Sequence, residues 1–203
     1  MVYRRTPKIQ ARMDSQRAAI LDAAVELLAT RGYAGCSVAA VADGAGVATG
    51  SVYRHFAGKG ELVAELFRQL VTREVEAVER AAQRPGSAGE RVVAVVDTFA
   101  ARALKAPRLA YALLAEPVDA PVEAERIVFR RAFRDVIAER IAEGVRDGTL
   151  PPQQAQLTAA AVVGAVAEVM IGPLTSGGED AVGELSTFTL RALGDRRCQQ
   201  PTT

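Results

Sequence analysis

The segment that most constrains the fold is residues 37–56, because a glycine-rich hexapeptide divides it into two short helical patterns. The hexapeptide DGAGVA (43–48) interrupts an apolar helical spacing that begins soon after residue 37. The following stretch, TGSVYRHF (49–56), has two plainly apolar residues, Val52 and Phe56, which lie four positions apart and share one helical face. The pattern predicts two short helices joined by a tight turn, with polar groups of the second facing outward.

The composition favours helices for the rest of the chain as well. Apolar residues make up 49% of the 203 residues, Trp is absent and aromatic residues are only 5%. Such a composition suits close helix packing better than a sheet of β-branched and aromatic strands. We therefore predict an all-α fold without strands or internal repeats. The expected helices run from about 14 to 31, 37 to 43, 49 to 56, 59 to 83, 90 to 105, 107 to 116, 121 to 146, 153 to 171 and 180 to 193.

The charge is distributed unevenly although the net charge is only +1. Residues 1–60 carry eight Lys and Arg against four Asp and Glu, a net +4, whereas the remainder carries 17 against 20, a net −3. A basic front end on an acidic body indicates that only the front meets a polyanion.

Two short helices around a turn form a helix-turn-helix, whose second helix enters the major groove of DNA. The stretch 49–56 is therefore predicted to be a recognition helix, and Gly50 permits its close approach to the groove.

A longer stretch strengthens this interpretation. ILDAAVELLATRGYAGCSVAAVADGAGVATGSVYRHFAGKGELV (20–63) resembles the DNA-binding domain of the tetracycline-repressor (TetR/AcrR) family. The resemblance covers the first helix, its glycine stop, the capped second helix, the A-G-V turn, the Y-x-H-F recognition helix and the lysine that opens helix 4. Ala48 stands where the family usually has Ser or Thr, and Gly58 and Gly60 replace a polar and an acidic residue. These departures concern the helix boundaries.

The resemblance implies a two-domain architecture. An N-terminal three-helix helix-turn-helix domain, residues 1–58, is joined by a long helix to a C-terminal helical domain for ligand binding and dimerisation, residues 59–203. Residues 1–13 are expected to form a mobile basic arm. The last two helices of each subunit are expected to pair into a four-helix bundle of a homodimer, which also suits a two-fold DNA site.

The predicted DNA-contacting residues are Ser37, Thr49, Gly50, Ser51, Tyr53, Arg54, His55 and Lys59. Several have a second interpretation. Tyr53 contacts a phosphate or packs on the domain core, and Arg54 reads a guanine edge or a phosphate or is simply solvated. His55 can merely interact with its own helix end, and Lys59 is ordinary surface charge unless the resemblance holds. The arm RRTPK (4–8) is a solubilising tail or a minor-groove reader.

The longest apolar stretch, residues 157–174, contains Glu168 and many small residues. It is close to the lower limit for crossing a bilayer, so we expect a core helix that is buried on more than one side. A carboxylate there needs a cation, and Arg102, Arg126 and Arg130 are the candidate partners. The ion pair is structural, or Glu168 anchors a ligand.

The ligand site is predicted in the C-terminal domain. Its candidate residues are Phe99, Arg102, Tyr111, Leu114, Arg126, Phe129, Arg130, Phe133 and Glu168. The aromatic members at helical spacing can equally be plain core.

No metal, cofactor or catalytic site is expected. The two cysteines, Cys36 and Cys198, lack zinc or disulfide spacing, and a single His cannot supply the remaining ligands. Cys36 is interpreted as a small packed residue, with redox sensing as the alternative. Because no apolar run follows the N-terminal arginines, we expect no signal peptide and a cytoplasmic protein without membrane attachment.

The leading functional hypothesis is a ligand-responsive transcriptional repressor. As a homodimer it occupies a palindromic operator, and a small effector bound to the C-terminal domain releases it through helix 4. One alternative is an effector-independent DNA-binding activator or scaffold. The other is an enzyme, but the chain lacks a traceable nucleophile-base arrangement and its only His lies in the recognition stretch.

Overall fold

The computed structural model describes residues 7–177 and 181–195, and within these ranges the regular elements are all helices. The all-α prediction is confirmed. The helices are α1 (Pro7–Gly35), α2 (Val38–Gly44), α3 (Thr49–His55), α4 (Lys59–Ala82), α5 (Ala88–Ala103), α6 (Pro107–Leu114), α7 (Ala120–Arg146), α8 (Ala155–Val169), α9 (Ile171–Ser176) and α10 (Ala181–Leu193).

The first helix starts earlier than the sequence pattern indicates. The expected start near residue 14 is wrong, because α1 already begins at Pro7, where proline suits a first helical turn. Gln10 Nε2 donates a hydrogen bond to Asp14 Oδ1 at 2.9 Å, one turn further along. Residues 7–13, expected in the mobile arm, are therefore helical, whereas the rest of that arm lies outside the described residues.

The helix-turn-helix forms where the sequence places it. Ser37 Oγ accepts a hydrogen bond from Ala40 N at 3.2 Å and caps α2. Ala48 occupies the N-cap position of α3 without a side-chain hydrogen bond, one of the two arrangements that the sequence allows. Val52 and Phe56 are buried, so the polar residues between them face outward.

The body is built around α4, α5 and α7. Ser87 and Glu90 form a capping box at the start of α5, and Pro121 lies in the first turn of α7. The core between these three helices is made of aliphatic and aromatic side chains. Its members include Leu62, Phe67, Val92, Val96, Phe129, Phe133, Ile137 and Ile141. Helix α4 contributes to this core and follows α3 after a short connection. It therefore joins the two halves of the chain, which are the N-terminal half (α1–α3) and the body formed by the remaining helices.

The apolar helix α8 does not have the predicted burial. Only Ala159, Val162 and Val166 of α8 are buried. Leu157 is 66% exposed, and a Cβ added at Gly164 would meet no atom within 4 Å. The expectation of burial on several sides is therefore wrong for the single chain, because α7 and α10 pack on α8 and leave its other side open.

Helix α8 together with α9 has the length and composition of a membrane span. The segment Ala155–Ser176 has 22 residues and a mean hydropathy of 1.8, and 28% of its apolar window is buried. Interface and core helices have similar compositions, so these properties alone are weak evidence for insertion.

Cys36 is buried, and burial raises the pKa of its thiol, as expected for a packed residue. Cys198 lies outside the described residues.

Candidate DNA-binding surface and ligand cavity

The outward side of α3 forms a small polar surface. Tyr53 is 56% exposed, and Arg54 beside it is exposed as well. An added Cβ at Gly50 would meet no atom within 4 Å, so this part of the helix offers a flat approach. The predicted DNA-contacting residues with exposed or partly exposed positions on α3 are Thr49, Gly50, Ser51, Tyr53, Arg54 and His55. This surface has the hydrogen-bonding groups that base edges and phosphates require.

The end of α3 is attached to α1. His55 Nε2 lies 3.2 Å from Gln16 Oε1, and the guanidinium of Arg17 stacks 5.2 Å from the centre of the Phe56 ring. Burial, followed by Arg17 and Arg54, lowers the pKa of His55, so the neutral imidazole is favoured. His55 therefore has a structural partner within the domain as well as an outward position.

Lys59 and Ser37 have partners of their own. Lys59 Nζ lies 3.8 Å from the centre of the Tyr33 ring, a cation–π contact at the start of α4. Ser37 is exposed, although its hydroxyl oxygen already caps α2. Both side chains lie on the helix-turn-helix domain or directly beside it, where the sequence places them.

A cavity of about 580 Å³ lies between α7, α8 and α9 and is closed on its inner side by α5 and α6. Buried apolar side chains form its floor, including Phe99, Phe133 and Met170. Exposed Arg130 and Arg131 form part of its rim. Its volume is in the range of small-molecule sites.

Seven of the nine predicted ligand-site residues line this cavity: Phe99, Leu114, Arg126, Phe129, Arg130, Phe133 and Glu168. Tyr111 does not line it. Arg102 lines a second, smaller cavity and donates two hydrogen bonds to Glu74, at 2.6 and 2.7 Å. The hydrogen bond to Glu74 raises the pKa of Arg102.

The predicted ion pair of Glu168 with an arginine is wrong. Glu168 is exposed, and no ion pair joins it to the described residues. Arg126 is buried and instead pairs with Glu123 at 2.8 Å, while burial lowers its pKa. The physical reason is that Glu168 lines the cavity while remaining exposed, so water solvates the carboxylate without a cation beside it.

The sequence reasoning missed two arginines of the cavity, Arg131 and Arg134. A signal for Arg134 was available, because residues 126, 130 and 134 follow one another at four-residue intervals on one face of α7. Arg134 pairs with Asp135 at 2.7 Å.

The sequence reasoning also missed the contact between the two halves. Tyr33 OH donates a hydrogen bond to Asp119 Oδ2 at 2.7 Å, and Tyr33 N–H donates to Glu116 Oε2 at 2.6 Å. Burial and the bond to Asp119 raise the pKa of Tyr33 to about 12. Gly32 has a φ of +68°, and a Cβ there would lie 2.5 Å from a Glu116 carboxylate oxygen. No local pattern relates residues more than 80 positions apart.

This contact is connected to the cavity. Arg126, which lines the cavity, donates from Nη2 to the carbonyl oxygen of Glu116 at 3.0 Å. It also donates from Nε to the carbonyl oxygen of Leu113 at 2.9 Å. Arg126 is therefore hydrogen-bonded to the backbone of the residue whose carboxylate accepts the Tyr33 N–H.

Residues 20–66 match the family model for bacterial regulatory proteins of the tetR family. The chain therefore carries a tetR-family DNA-binding domain. The resemblance found in the sequence is confirmed over this segment.

Two regulators have sequences similar to part of this chain. The chain is 41% identical over 61 residues to the HTH-type transcriptional repressor KstR2 of Mycobacterium tuberculosis, and the match covers 30% of each chain. It is 33% identical over 78 residues to the fatty acid metabolism regulator protein of Bacillus subtilis, covering 38% of this chain and 40% of that one. The matched segments are thus less than half of either relative's length.

Similarity of fold extends much further than similarity of sequence. The crystal structure of the transcriptional regulator FadR from Bacillus subtilis in complex with stearoyl-CoA aligns with a TM-score of 0.74 and 22% identity. The alignment covers 87% of this chain and 96% of that chain. The helical body beyond the tetR-family domain therefore has the same fold as this regulator.

Proposed function

We propose that the chain is a ligand-responsive transcriptional repressor that binds a palindromic operator as a homodimer and is released by a small effector. The observation that carries the proposal is the presence, in one chain, of an outward-facing recognition helix and a cavity of about 580 Å³. Arg126 provides a contact path between the two halves. An effector that binds more tightly to an arrangement of the halves that cannot bind the operator shifts the equilibrium away from DNA binding.

The effector that best fits the cavity has a long apolar chain and an anionic head, as an acyl-CoA has. The floor formed by Phe99, Phe133 and Met170 suits the chain. The exposed guanidinium groups of Arg130 and Arg131 suit phosphate groups, which arginine binds in a bidentate manner. The stearoyl-CoA complex of the B. subtilis regulator with the same fold supports this class of ligand.

The homodimer is proposed to form through α8 and α10. Leu157 and Val169 on α8 and Phe188 on α10 are 66%, 46% and 45% exposed in the single chain, so both helices carry large apolar side chains that another surface can cover. A second copy related by a two-fold axis covers them and gives the spacing of two recognition helices that a palindrome requires.

The direct test starts with an operator selected from random duplex DNA by the full-length protein. Stearoyl-CoA should release this operator, whereas coenzyme A alone should not, because the apolar chain supplies most of the binding free energy. Arg130→Ala should raise the effector concentration needed for half-release at least about tenfold, since a hydrogen bond to a charged group contributes about 1.5–3 kcal/mol.

Arg108→Ala is the matched control, because Arg108 is an exposed arginine that lines neither cavity. Its half-release concentration should equal that of the wild type. Recovery of no specific duplex would contradict the regulator function. An operator that stearoyl-CoA leaves bound would contradict the acyl-CoA effector and favour the effector-independent alternative.

A further inference from the structure

A second cavity of about 130 Å³ lies between α4, α5 and α6. It is lined by Phe67, Leu70, Val71, Glu74, Phe99, Arg102, Ala103, Ala106, Leu109, Ala110, Leu113, Leu114 and Phe129. At roughly 30 Å³ for each water-sized group, it has room for about four such groups. This volume is too small for a head group but sufficient for the end of an alkyl chain.

The two cavities are separated by a partition one side chain thick. Phe99, Leu114 and Phe129 line both of them. The ring centres of Phe99 and Phe129 are 6.0 Å apart. These side chains pack through van der Waals contacts of modest individual strength, so a rotation of one ring opens the partition without breaking a hydrogen bond.

An aromatic series runs from one cavity to the other. Phe133 lines only the larger cavity, and its ring centre lies 5.0 Å from that of Phe99. Phe67 lines only the smaller cavity, and its ring meets that of Phe129 edge-on at 6.3 Å. The path through the partition is therefore apolar along its whole length.

The lining of the smaller cavity favours apolar groups. Its two charged residues, Glu74 and Arg102, are already joined by two hydrogen bonds of 2.6 and 2.7 Å. A polar ligand group would have to break this bidentate pair, whereas a methylene chain would not. The polar part of a ligand therefore stays with the arginines of the larger cavity.

The smaller cavity directly borders the helix that joins the two halves. Phe67, Leu70 and Val71 belong to α4, whose first turn follows the recognition helix closely. Leu109 and Ala110 on the opposite wall belong to α6, which packs against α1 of the DNA-binding domain. A group inserted between α4 and α6 thus acts on both connections to this domain.

We propose that Phe99, Leu114 and Phe129 form a movable partition, and that an effector chain long enough to displace it enters the smaller cavity and separates α4 from α6. The inference rests on the proposed acyl-chain effector and adds a chain-length threshold to it. Short chains occupy the larger cavity without acting on α4, whereas long chains occupy both cavities and release DNA.

The test uses hexanoyl-, dodecanoyl- and stearoyl-CoA with the full-length protein, measuring binding by calorimetry and operator release by fluorescence anisotropy. Each methylene that becomes buried should raise affinity about fourfold. Ala110→Phe fills the smaller cavity from α6, so it should lower the ratio of stearoyl-CoA to hexanoyl-CoA affinity at least tenfold. Operator release by stearoyl-CoA should be lost in the same variant.

Ala101→Phe is the matched control, because Ala101 is exposed on α5 and lines neither cavity. Phe99→Leu is the second variant in case Ala110→Phe fails to fold. A smaller side chain thins the partition, so dodecanoyl-CoA should release the operator at a lower concentration than in the wild type.

The outcomes separate the two proposals. If Ala110→Phe weakens all three ligands equally, or if Phe99→Leu leaves the length dependence unchanged, the partition is contradicted while the acyl-CoA effector stands. If the wild-type protein binds its operator but none of the three ligands, the acyl-CoA effector and the partition are both contradicted. Loss of stearoyl-CoA response in Ala110→Phe alone, with Ala101→Phe normal, supports the partition.

Discussion

Helix α3, the predicted recognition helix, and the apolar helix α8 both leave one side open, yet these sides have opposite compositions. The open side of α3 carries Tyr53 and Arg54, and its two apolar residues are buried. The open side of α8 carries Leu157 and Val169, both more than two-fifths exposed. A polar surface suits a hydrated, charged partner such as DNA, whereas an apolar surface favours a second apolar surface.

This contrast explains why the sequence was informative for one helix and misleading for the other. In α3, burial is decided inside the same small domain, so the spacing of Val52 and Phe56 correctly indicated which side faces inward. In α8, apolar composition predicted burial, but composition does not specify whether the same chain or another molecule covers the helix. The expectation for Glu168 failed for the same reason.

The largest expected effect concerns α8. Gly164→Leu places a bulky side chain on the exposed side of α8 that also lines the larger cavity, where the wild type has no atom within 4 Å. If a second subunit packs there, overpacking separates the subunits. A monomer contacts only one half-site, so its affinity for the operator should be lower by at least about a hundredfold.

Light scattering and operator titration without effector measure this result. Ala101→Leu, at an exposed alanine of α5, is the control and should stay dimeric. A Gly164→Leu protein that remains a dimer would place the subunit interface elsewhere and remove the explanation for the apolar surface.

An intermediate effect is expected for Arg54 on α3. If its exposed guanidinium reads a guanine edge, Arg54→Ala should cost about 1–3 kcal/mol at one position of each half-site and leave the other positions unchanged. Titrations against operators with single base changes give the preference profile. An unaltered profile would mean that Arg54 does not read a base.

Phosphate contacts should behave differently. Tyr53→Phe and Lys59→Ala should weaken cognate and random duplexes by similar factors, because phosphates carry no sequence information. Lys59→Ala should also reduce the dependence of log affinity on log salt by about one unit. A change in base preference in either variant would contradict the assignment to phosphates.

The smallest effect is expected for Glu168 on α8. The carboxylate is exposed and has no ion pair within the described part of the chain, so Glu168→Gln should change the free energy of unfolding by no more than about 0.5 kcal/mol. Thermal melting checks this value. A larger loss would show that the subunit interface supplies a cation to Glu168, and a weakened effector response at normal stability would make it a ligand contact.

Local and long-range features differed in how far the sequence could predict them. The caps, the glycine-rich turn and the four-residue spacings depend on neighbouring residues, so the helices and seven of the residues that line the cavity were predictable. The start of α1 was not predictable, because Pro7 allows the helix to begin before the polar residues near position 14. The bonds from Tyr33 to Glu116 and Asp119 were unpredictable, since they depend on how the two halves dock.

Gly32 and Glu116 constrain each other, which limits how the two halves can change during evolution. The left-handed backbone of Gly32 disfavours any other residue, and the carboxylate of Glu116 occupies the space that a Cβ would need. Replacement of Gly32 first would add backbone strain and displace the group that accepts the Tyr33 N–H. Shortening of Glu116 first removes the clash but leaves that N–H without its carboxylate. Gly32 is therefore expected to stay glycine and Glu116 to keep its carboxylate among functional descendants, so the docking of the halves is inherited as a unit.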